Sequence, residues 1–247
     1  MTTNKMDLLW ETKWSKEEYP RIAPGVVHDG WGSTGEPGSS IIAGMYSEGF
    51  GKHFKEGVKV LDYGCGAARY CNFLSGHLKD FTYYGVEPMG GGPYSIYQDV
   101  ESISETGIAL AREAYGQDPR IHLGFIDSPV ETEAIDNVDV VLLGSIFTHL
   151  DGKQFELIMT KLLPVVERGG CIVFSCFLAK KHKVNGPGAY GFKDTYQMSW
   201  LTKQQLTSFA KKTHTRLTEC LPWEVTENLT AHIFRVEKLK NALVELK

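Results

Sequence analysis

Two acidic residues and two glycines form the most chemically suggestive pattern in the chain. Asp62 lies just before Gly64 and Gly66, and Glu87 ends the next apolar segment. Glycine permits a tight turn and a close backbone approach to a ligand. A carboxylate attracts an amino group, accepts hydrogen bonds from paired hydroxyls and repels a pyrophosphate. The pattern favours a nucleotide-like ligand that carries positive charge, although Asp62 alone is equally typical of a turn or capping residue.

A strand, a turn and a helix must position these residues. Val58, Val60 and Leu61 form an apolar run that predicts a short buried strand. Residues 67–74 are helix-forming and have one apolar face, and residues 81–87 form a second apolar strand that ends at the acid. A strand, a glycine turn and a helix N-terminus in this order make a site for a nucleotide-like ligand.

A dinucleotide site fits the turn less well. Its fingerprint, Gly-x-Gly-x-x-Gly or Ala, requires a small residue at the sixth position, where this chain has Arg69. Together with Asp62, Arg69 disfavours an NAD-dependent dehydrogenase.

Four segments, in order, resemble the class I S-adenosylmethionine-dependent methyltransferases. They are residues 60–66, 85–87, 138–150 and 163–170, the last of these before a strand. The resemblance runs from about residue 55 to residue 238, with a departure at Ala68, where the family usually has a third glycine. It implies a Rossmann-like three-layer sandwich whose mostly parallel seven-stranded sheet has an antiparallel last strand. The α/β class also follows from the alternation of predicted strands and helices.

The resemblance implies S-adenosylmethionine as the cofactor and S-adenosylhomocysteine as its product. An acid at the position of Glu87 holds both ribose hydroxyls, and one at Asp127 contacts the adenine amino group, although Asp127 and Ser128 also suit a helix cap. The implied cofactor-binding residues are Asp62, Tyr63, Gly64, Cys65, Gly66, Glu87, Pro88, Asp127, Ser128, Gly144, Ser145 and Phe147.

Two aromatic-bearing loops are the candidate acceptor site. Residues 89–98 and 179–200 should both emerge near the C-terminal edge of the sheet, where ligands bind in open α/β folds. Aromatic walls suit a small, partly apolar acceptor, and the candidate substrate-binding residues are Tyr94, Tyr97, Tyr190, Phe192 and Tyr196. His149, at the exit of the fourth strand, is the candidate catalytic base for a hydroxyl acceptor, with packing at the strand exit as its alternative role.

The remaining residues predict alternating elements within one domain over 1–247. Asp151 should cap a helix whose apolar positions extend to Val166 and which ends at residues 168–170. Thr202 should cap another helix, and residues 179–200 are predicted as a loop. Residues 1–54 form an N-terminal lid and helix region before the core at 55–238, with an inert arm as the alternative for 10–38. The other predictions are helices at 39–50 and 104–115 and strands at 121–126, 138–144, 171–177, 216–223 and 229–236.

Composition narrows the classes of function. The net charge of −4 over 247 residues disfavours a general nucleic-acid surface. The five cysteines lack paired metal-ligand spacing and indicate a reducing compartment without a metal site. The N-terminus lacks the apolar core of a signal peptide, and no run reaches the length of a membrane span, so we expect a cytoplasmic protein.

The predicted activity is methyl transfer to an oxygen or nitrogen atom of a small molecule. The residues after the fourth strand lack the Asn- or Asp-Pro-Pro-Tyr motif of base and amide methylases, and they lack the acid of metal-dependent catechol-type enzymes. One alternative is an RNA or protein methyltransferase, supported only by basic residues at 180–183 and 211–212. The other is a non-catalytic module that binds S-adenosylmethionine.

Overall fold

A computed structural model describes residues 41–66, 68–88, 101–126, 135, 137–148, 150–180, 183–185, 198–226 and 229–239. The predicted lid at residues 10–38 lies outside these ranges. None of the helices in the described ranges is long and apolar enough to cross a membrane.

Strands and helices alternate along the first two thirds of the described chain, as the sequence predicts. Helix α1 (Ile41–Phe50) and a short 3-10 turn (Gly51–His53) precede the first strand. The elements that follow are β1 (Val58–Tyr63), α2 (Arg69–His77), β2 (Phe81–Pro88), α3 (Glu101–Tyr115), β3 (Ile121–Ile126), β4 (Val138–Phe147), α4 (Gly152–Leu162), β5 (Val166–Leu178), β6 (Lys183–Asn185), β7 (Met198–Leu201), α5 (Lys203–Lys212), β8 (Thr215–Thr226) and β9 (Leu229–Lys238).

One mixed sheet runs through the centre of the domain. Strands β3, β2, β1, β4 and β5 lie side by side and parallel. Strand β9 is antiparallel to β5, and β8 is antiparallel to β9, which confirms the predicted antiparallel last strand. Within the described ranges the sheet has nine strands, two more than predicted, because β6 and β7 form an additional hairpin.

Each face of the sheet has its own apolar core. Alternate residues of β1 show this division, since Val60 belongs to the cluster that packs against α1, α2 and α3, whereas Leu61 belongs to the cluster that packs against α4 and α5. The side chains on the second face include an aromatic group at 4.8–5.6 Å between ring centroids, made by Phe147, Phe155 and Phe174. The result is the predicted three-layer arrangement of helices, sheet and helices.

Both predicted helix caps of the second half are confirmed. The Asp151 carboxylate accepts hydrogen bonds from the amides of Lys153 and Gln154, and the Gln154 side chain accepts one from the Asp151 amide. Thr202 and Gln205 make the same reciprocal pair at the start of α5. These capping boxes satisfy amides that would otherwise lack partners at each helix start.

Several predicted element bounds were wrong, and the largest differences lie around β4 and β5. Strand β4, predicted to end at residue 144, continues to Phe147. Helix α4 ends at Leu162, before Pro164, and Val166 begins β5 instead of completing the helix. Gly169, at φ 96°, and Gly170 lie in an irregularity between β4 and β5, where a side chain at Gly170 would collide with the Asp139 carbonyl. These glycines therefore allow the strands to pair and do not end a helix. The predicted loop 179–200 contains β6 and the first three residues of β7.

Candidate functional site

The glycine turn between β1 and α2 has a left-handed backbone at three positions. Gly64, Gly66 and Ala68 have φ angles of 79°, 54° and 58°. The positive φ angle favours glycine at position 64, and an added Cβ would also overlap the end of the Ile146 side chain of β4, which would have to move. Ala68 takes the left-handed conformation at the position where the resembled family has glycine. The turn brings the ends of β1 and β4 into contact.

Within the turn, four backbone amides donate hydrogen bonds to acceptors of the protein itself. The amides of Gly64 and Cys65 donate to the Val86 carbonyl at 2.8 and 3.3 Å, and the Ala68 amide donates to the Cys65 carbonyl at 2.9 Å. The Gly66 amide donates to the Glu87 carboxylate. A phosphate-binding loop instead presents its amides to the anion. The arrangement therefore does not favour a phosphate ligand.

Asp62 lies beneath this turn and is only 4% exposed. The Tyr83 hydroxyl donates a hydrogen bond of 2.7 Å to its carboxylate. Burial, together with the negative charge of Asp62, raises the pKa of Tyr83 well above its usual range, so the phenol remains a donor. A neutral donor stabilises the buried carboxylate without cancelling its negative charge.

Sequence reasoning missed Tyr83, although a signal was present. Asp62 pairs with Gly85 across the two strands, and Tyr83 lies two residues from Gly85, which makes Tyr83 a diagonal neighbour of Asp62. A side chain at Gly85 would lie 2.7 Å from the Tyr83 ring and 2.8 Å from Leu123. The glycine therefore leaves room for the tyrosine ring beside it.

Glu87 stands at the carboxyl end of β2, beside the glycine turn. Its side chain is half-buried, and it accepts the hydrogen bond from the Gly66 amide. Because β1 and β2 are parallel neighbours, Asp62 and Glu87 lie near the same edge of the sheet. The structure therefore brings together the two acids on which the sequence prediction depends.

Cys65 lies in the turn, but its thiol is not positioned to react. The side chain is buried, and the sulfur donates to the Gly66 carbonyl at 3.6 Å. Burial, followed by the charges of Glu87 and Asp62, raises the pKa of Cys65 well above its usual range. The thiol stays protonated, and Cys65 shapes the turn without supplying a nucleophile.

The other side of the candidate site is formed by residues 145–148, the β4 exit, which are the last three residues of β4 and the residue that follows. Ser145 is exposed and has a φ of 59°, which is uncommon for a residue with a side chain. Its amide donates to the hydroxyls of Tyr46, at 3.1 Å, and Ser175, at 2.9 Å. Its carbonyl accepts a hydrogen bond of 2.6 Å from the Thr148 hydroxyl. Sequence reasoning missed Tyr46 and Ser175, which come from distant elements and leave no local signal.

Hairpin β6–β7 adjoins this exit. The Ser199 amide of β7 donates to the Thr148 carbonyl at 2.8 Å, and β7 pairs in parallel with Phe177 and Leu178 at the end of β5. Part of the predicted acceptor loop therefore lies beside the β4 exit.

Of the other predicted site residues, Pro88 is the last residue of β2, next to Glu87, and Gly144 lies in β4 directly before Ser145. The rest fall into two groups. Tyr63 and Phe147 are fully buried, so any contact with a ligand would come from their backbone. The predictions for Asp127, Ser128, His149, Tyr94, Tyr97, Tyr190, Phe192 and Tyr196 lie outside the described residues.

Comparisons with known proteins find similarity only in structure. No family model matches the chain, and no curated protein matches it. A magnesium protoporphyrin IX methyltransferase from Synechocystis PCC 6803, with bound S-adenosylmethionine, has a TM-score of 0.52 and 12% identity, covering 81% of this chain and 77% of that one.

Two further solved structures show the same similarity. The 1,6-didemethyltoxoflavin-N1-methyltransferase of Burkholderia thailandensis, with bound 1,6-didemethyltoxoflavin and S-adenosylhomocysteine, has a TM-score of 0.53 and 15% identity over 80% of this chain and 78% of that one. A protein from Pyrococcus horikoshii OT3 has a TM-score of 0.58 and 16% identity over 92% of this chain and all of that one. At these identities the similarity shows a shared fold, which confirms the predicted Rossmann-like α/β class.

Proposed function

We propose that this protein transfers a methyl group from S-adenosylmethionine to an oxygen or nitrogen atom of a small molecule. The observation that carries the proposal is the pair Asp62 and Glu87, which flank a glycine turn whose described amides donate to the protein itself. Such a site favours hydroxyl donors and positive charge over phosphate. The shared fold with methyltransferases supports the same conclusion.

The chain's own groups have separate tasks in this proposal. Glu87 accepts hydrogen bonds from both ribose hydroxyls, and the negative charge of Asp62 attracts the ligand's ammonium. When bound, S-adenosylmethionine supplies an electrophilic methyl group, because its sulfonium sulfur is a good leaving group. The protein must hold the acceptor atom in line with that methyl group, about 3–3.5 Å away.

The acceptor is proposed to lie beside the β4 exit, with loops 89–98 and 179–200 around it. The hydrogen bond from Ser199 to Thr148 supports this proposal, because it joins the second loop's hairpin to that exit. His149 follows directly in the chain and is the proposed base for a hydroxyl acceptor. An amine acceptor would need only to be held neutral.

One residue of the basic clusters that favour an RNA acceptor, Lys212, is paired with an acid within the fold, as is Lys203 earlier on the same helix. On α5, Lys212 pairs with Glu156 at 3.5 Å, and Lys203 pairs with Glu219 at 3.1 Å. These cations are thus partly neutralised within the fold, which weakens a phosphate-binding role.

Calorimetry on the whole chain tests the cofactor. We expect S-adenosylhomocysteine to bind and NADH not to bind, because the amides of Gly64, Cys65, Gly66 and Ala68 donate to the protein itself and not outward to a phosphate. Binding of NADH in preference to S-adenosylhomocysteine would contradict the proposal. Incubation of the protein with methyl-labelled S-adenosylmethionine and a metabolite extract should then label a small molecule, whereas label in added RNA or protein would favour those acceptors instead.

A further inference from the structure

The β4 exit is held in an unfavourable conformation by contacts from a distant helix. Serine at a φ of 59° is disfavoured sterically, and such a conformation persists only where the surrounding structure determines it. Strained backbone of this kind clusters at functional sites. What holds Ser145 is therefore informative about the site.

Two buried hydroxyls converge on the Ser145 amide. Tyr46 of α1 is 5% exposed and Ser175 of β5 is fully buried, and their hydroxyl oxygens are 2.8 Å apart. Both accept a hydrogen bond from the Ser145 amide. The Tyr46 ring also lies against Gly144, where an added side chain would sit 3.4 Å from the ring. Helix α1 thus contacts the β4 exit through one side chain, at both the ring and the hydroxyl.

The same contacts extend to the glycine turn. Ile146 follows Ser145 directly, and its side chain fills the space beside Gly64. A change in the Ser145 backbone would therefore displace Ile146 against the turn that carries Gly66 and its partner Glu87. Protein interiors are packed too densely to absorb such a shift without a response.

We infer that Tyr46 is a positioning residue for methyl transfer: it sets the backbone of the β4 exit against which cofactor and acceptor are aligned. This inference rests on the proposed function and deepens it. Tyr46 acts through Ser145 and Ile146 and is not assigned any contact with the reacting atoms.

Tyr46→Phe in the full chain tests this role, because it removes the hydroxyl and retains the ring. The Ser145 amide keeps Ser175 as an acceptor, so the variant should fold. We expect the dissociation constant for S-adenosylhomocysteine to rise about 3- to 10-fold, in the range of one lost hydrogen bond. Hydrogen exchange of the Ser145 amide should also become faster.

Tyr70→Phe is the matched control. Tyr70 of α2 is also buried, and its hydroxyl lies 3.0 Å from the hydroxyl of Ser47, the residue after Tyr46 on α1. The acceptors of the Ser145 amide are Tyr46 and Ser175, so Tyr70→Phe removes a hydroxyl that contacts α1 without removing either of them. Loss of the Tyr70 hydroxyl should lower the thermal midpoint but leave the affinity for S-adenosylhomocysteine and the exchange rate of the Ser145 amide unchanged. If both variants lost the same affinity, the cause would be the general packing of α1 and not the hydrogen bond from the Ser145 amide to Tyr46, and the inference would be wrong.

The two proposals fail in different ways. If the unaltered protein does not bind S-adenosylhomocysteine, the proposed function is wrong, and the positioning role falls with it. If the unaltered protein binds and Tyr46→Phe binds equally well with unchanged Ser145 exchange, only the positioning role is wrong. If Tyr46→Phe does not fold, Ser175→Ala removes the other hydroxyl from the same amide, and unchanged affinity in that variant would contradict the inference.

Discussion

The two edges of the parallel sheet stabilise their acids by different means. At the C-terminal edge, Asp62 accepts a hydrogen bond from the Tyr83 hydroxyl and Glu87 accepts one from the Gly66 amide. At the opposite edge, Glu237 accepts hydrogen bonds from the Arg216 guanidinium, one of them at 3.0 Å, and lies 3.5 Å from Arg235.

This difference distinguishes the edge of the proposed binding site from an edge whose charged contacts stabilise the fold. A cation next to a carboxylate cancels most of its field, whereas a hydroxyl or an amide stabilises the carboxylate and leaves its charge in place. A neutral donor such as the Tyr83 hydroxyl or the Gly66 amide therefore stabilises an acid without opposing its attraction for a positively charged ligand. Acids held by arginines contribute mainly to the stability of the fold.

The largest expected effect is at Glu87. Glu87→Ala should weaken S-adenosylhomocysteine binding by roughly 2–3 kcal/mol, because it removes the carboxylate that is proposed to accept hydrogen bonds from the ribose hydroxyls. Calorimetry measures the affinity, and circular dichroism checks the fold. A correctly folded variant with unchanged affinity would remove Glu87 from the site and break the comparison between the edges.

Glu237→Gln provides the converse. We expect the variant to keep its affinity for S-adenosylhomocysteine. Its free energy of unfolding should fall by about 1–2 kcal/mol, which is the range of a hydrogen bond to a charged group, lowered because Arg216 is exposed to solvent. Denaturant unfolding measures the change. A loss of affinity with intact stability would show that the two edges are not separate in function.

The same carboxylate makes stability depend on acid pH. Burial raises the pKa of Glu237, but the hydrogen bonds from Arg216 and the positive charge of Arg235 outweigh it, and the pKa lies below the ordinary 4.5. Its stabilising contribution is therefore present above about pH 4.5 and is lost as pH falls further. The acid limb of the stability curve should be shallower in Glu237→Gln than in the unaltered protein.

His53, which lies at the same edge as Glu237, should make stability depend on pH at higher values, with a smaller effect. Burial, assisted by Lys52, lowers the pKa of His53 below the ordinary 6.5, and its Nε2 atom has no hydrogen-bond partner among the described residues. The folded state favours the neutral ring, so stability should fall as pH drops below about 6.5, where the unfolded chain takes up the proton. Thermal midpoints between pH 7 and pH 5 should change less in His53→Gln.

The exposed His122 is the control position for this measurement. His122→Gln should retain the pH dependence of the unaltered protein. If both variants, or neither, flatten the curve, His53 is not its source.

The smallest expected effect is at Ala68, in the glycine turn. Ala68→Gly removes the steric cost of a left-handed alanine, about 1–2 kcal/mol, which stabilises the fold. It also removes a buried methyl group and raises the entropy of the unfolded chain, and each of these destabilises the fold by up to about 1 kcal/mol. The free energy of unfolding should change by less than about 1 kcal/mol, which explains how alanine replaces the usual glycine. Ala68→Val should destabilise strongly, because a branched residue tolerates neither the φ angle nor the buried space. A large gain from glycine would show that the turn is more strained than this balance implies.

Local patterns predicted much of the fold and of one half of the site. Strand β3 was predicted with its observed bounds, and the caps at Asp151 and Thr202 were correct because capping depends on residues three positions apart. The acids Asp62 and Glu87 were found at one edge because parallel strands bring their carboxyl ends together. Helix α4 was predicted too long because apolar spacing continues to Val166, although Pro164 should have signalled its end.

Nonlocal contacts account for what the sequence did not reveal. Strand β6 has three residues, too few for a periodic signal, and depends on pairing with β7. The contact between Tyr46 and Ser175 joins residues 129 positions apart. Tyr46 is a typical apolar-face residue of its helix, so only the folded structure identifies its hydroxyl as a contact of the β4 exit.

The late position of β9 in the chain has a consequence for synthesis on the ribosome. Strand β9 fills the edge of β5 along residues 171–177, yet it is made only after the hairpin β6–β7, α5 and β8. Until Leu229 and the residues after it emerge, β5 carries a row of unpaired amides and carbonyls beside an apolar sequence, which is the kind of edge that pairs with other chains. The nascent protein should therefore be most prone to aggregate in this interval, and most dependent on chaperones that bind extended apolar segments.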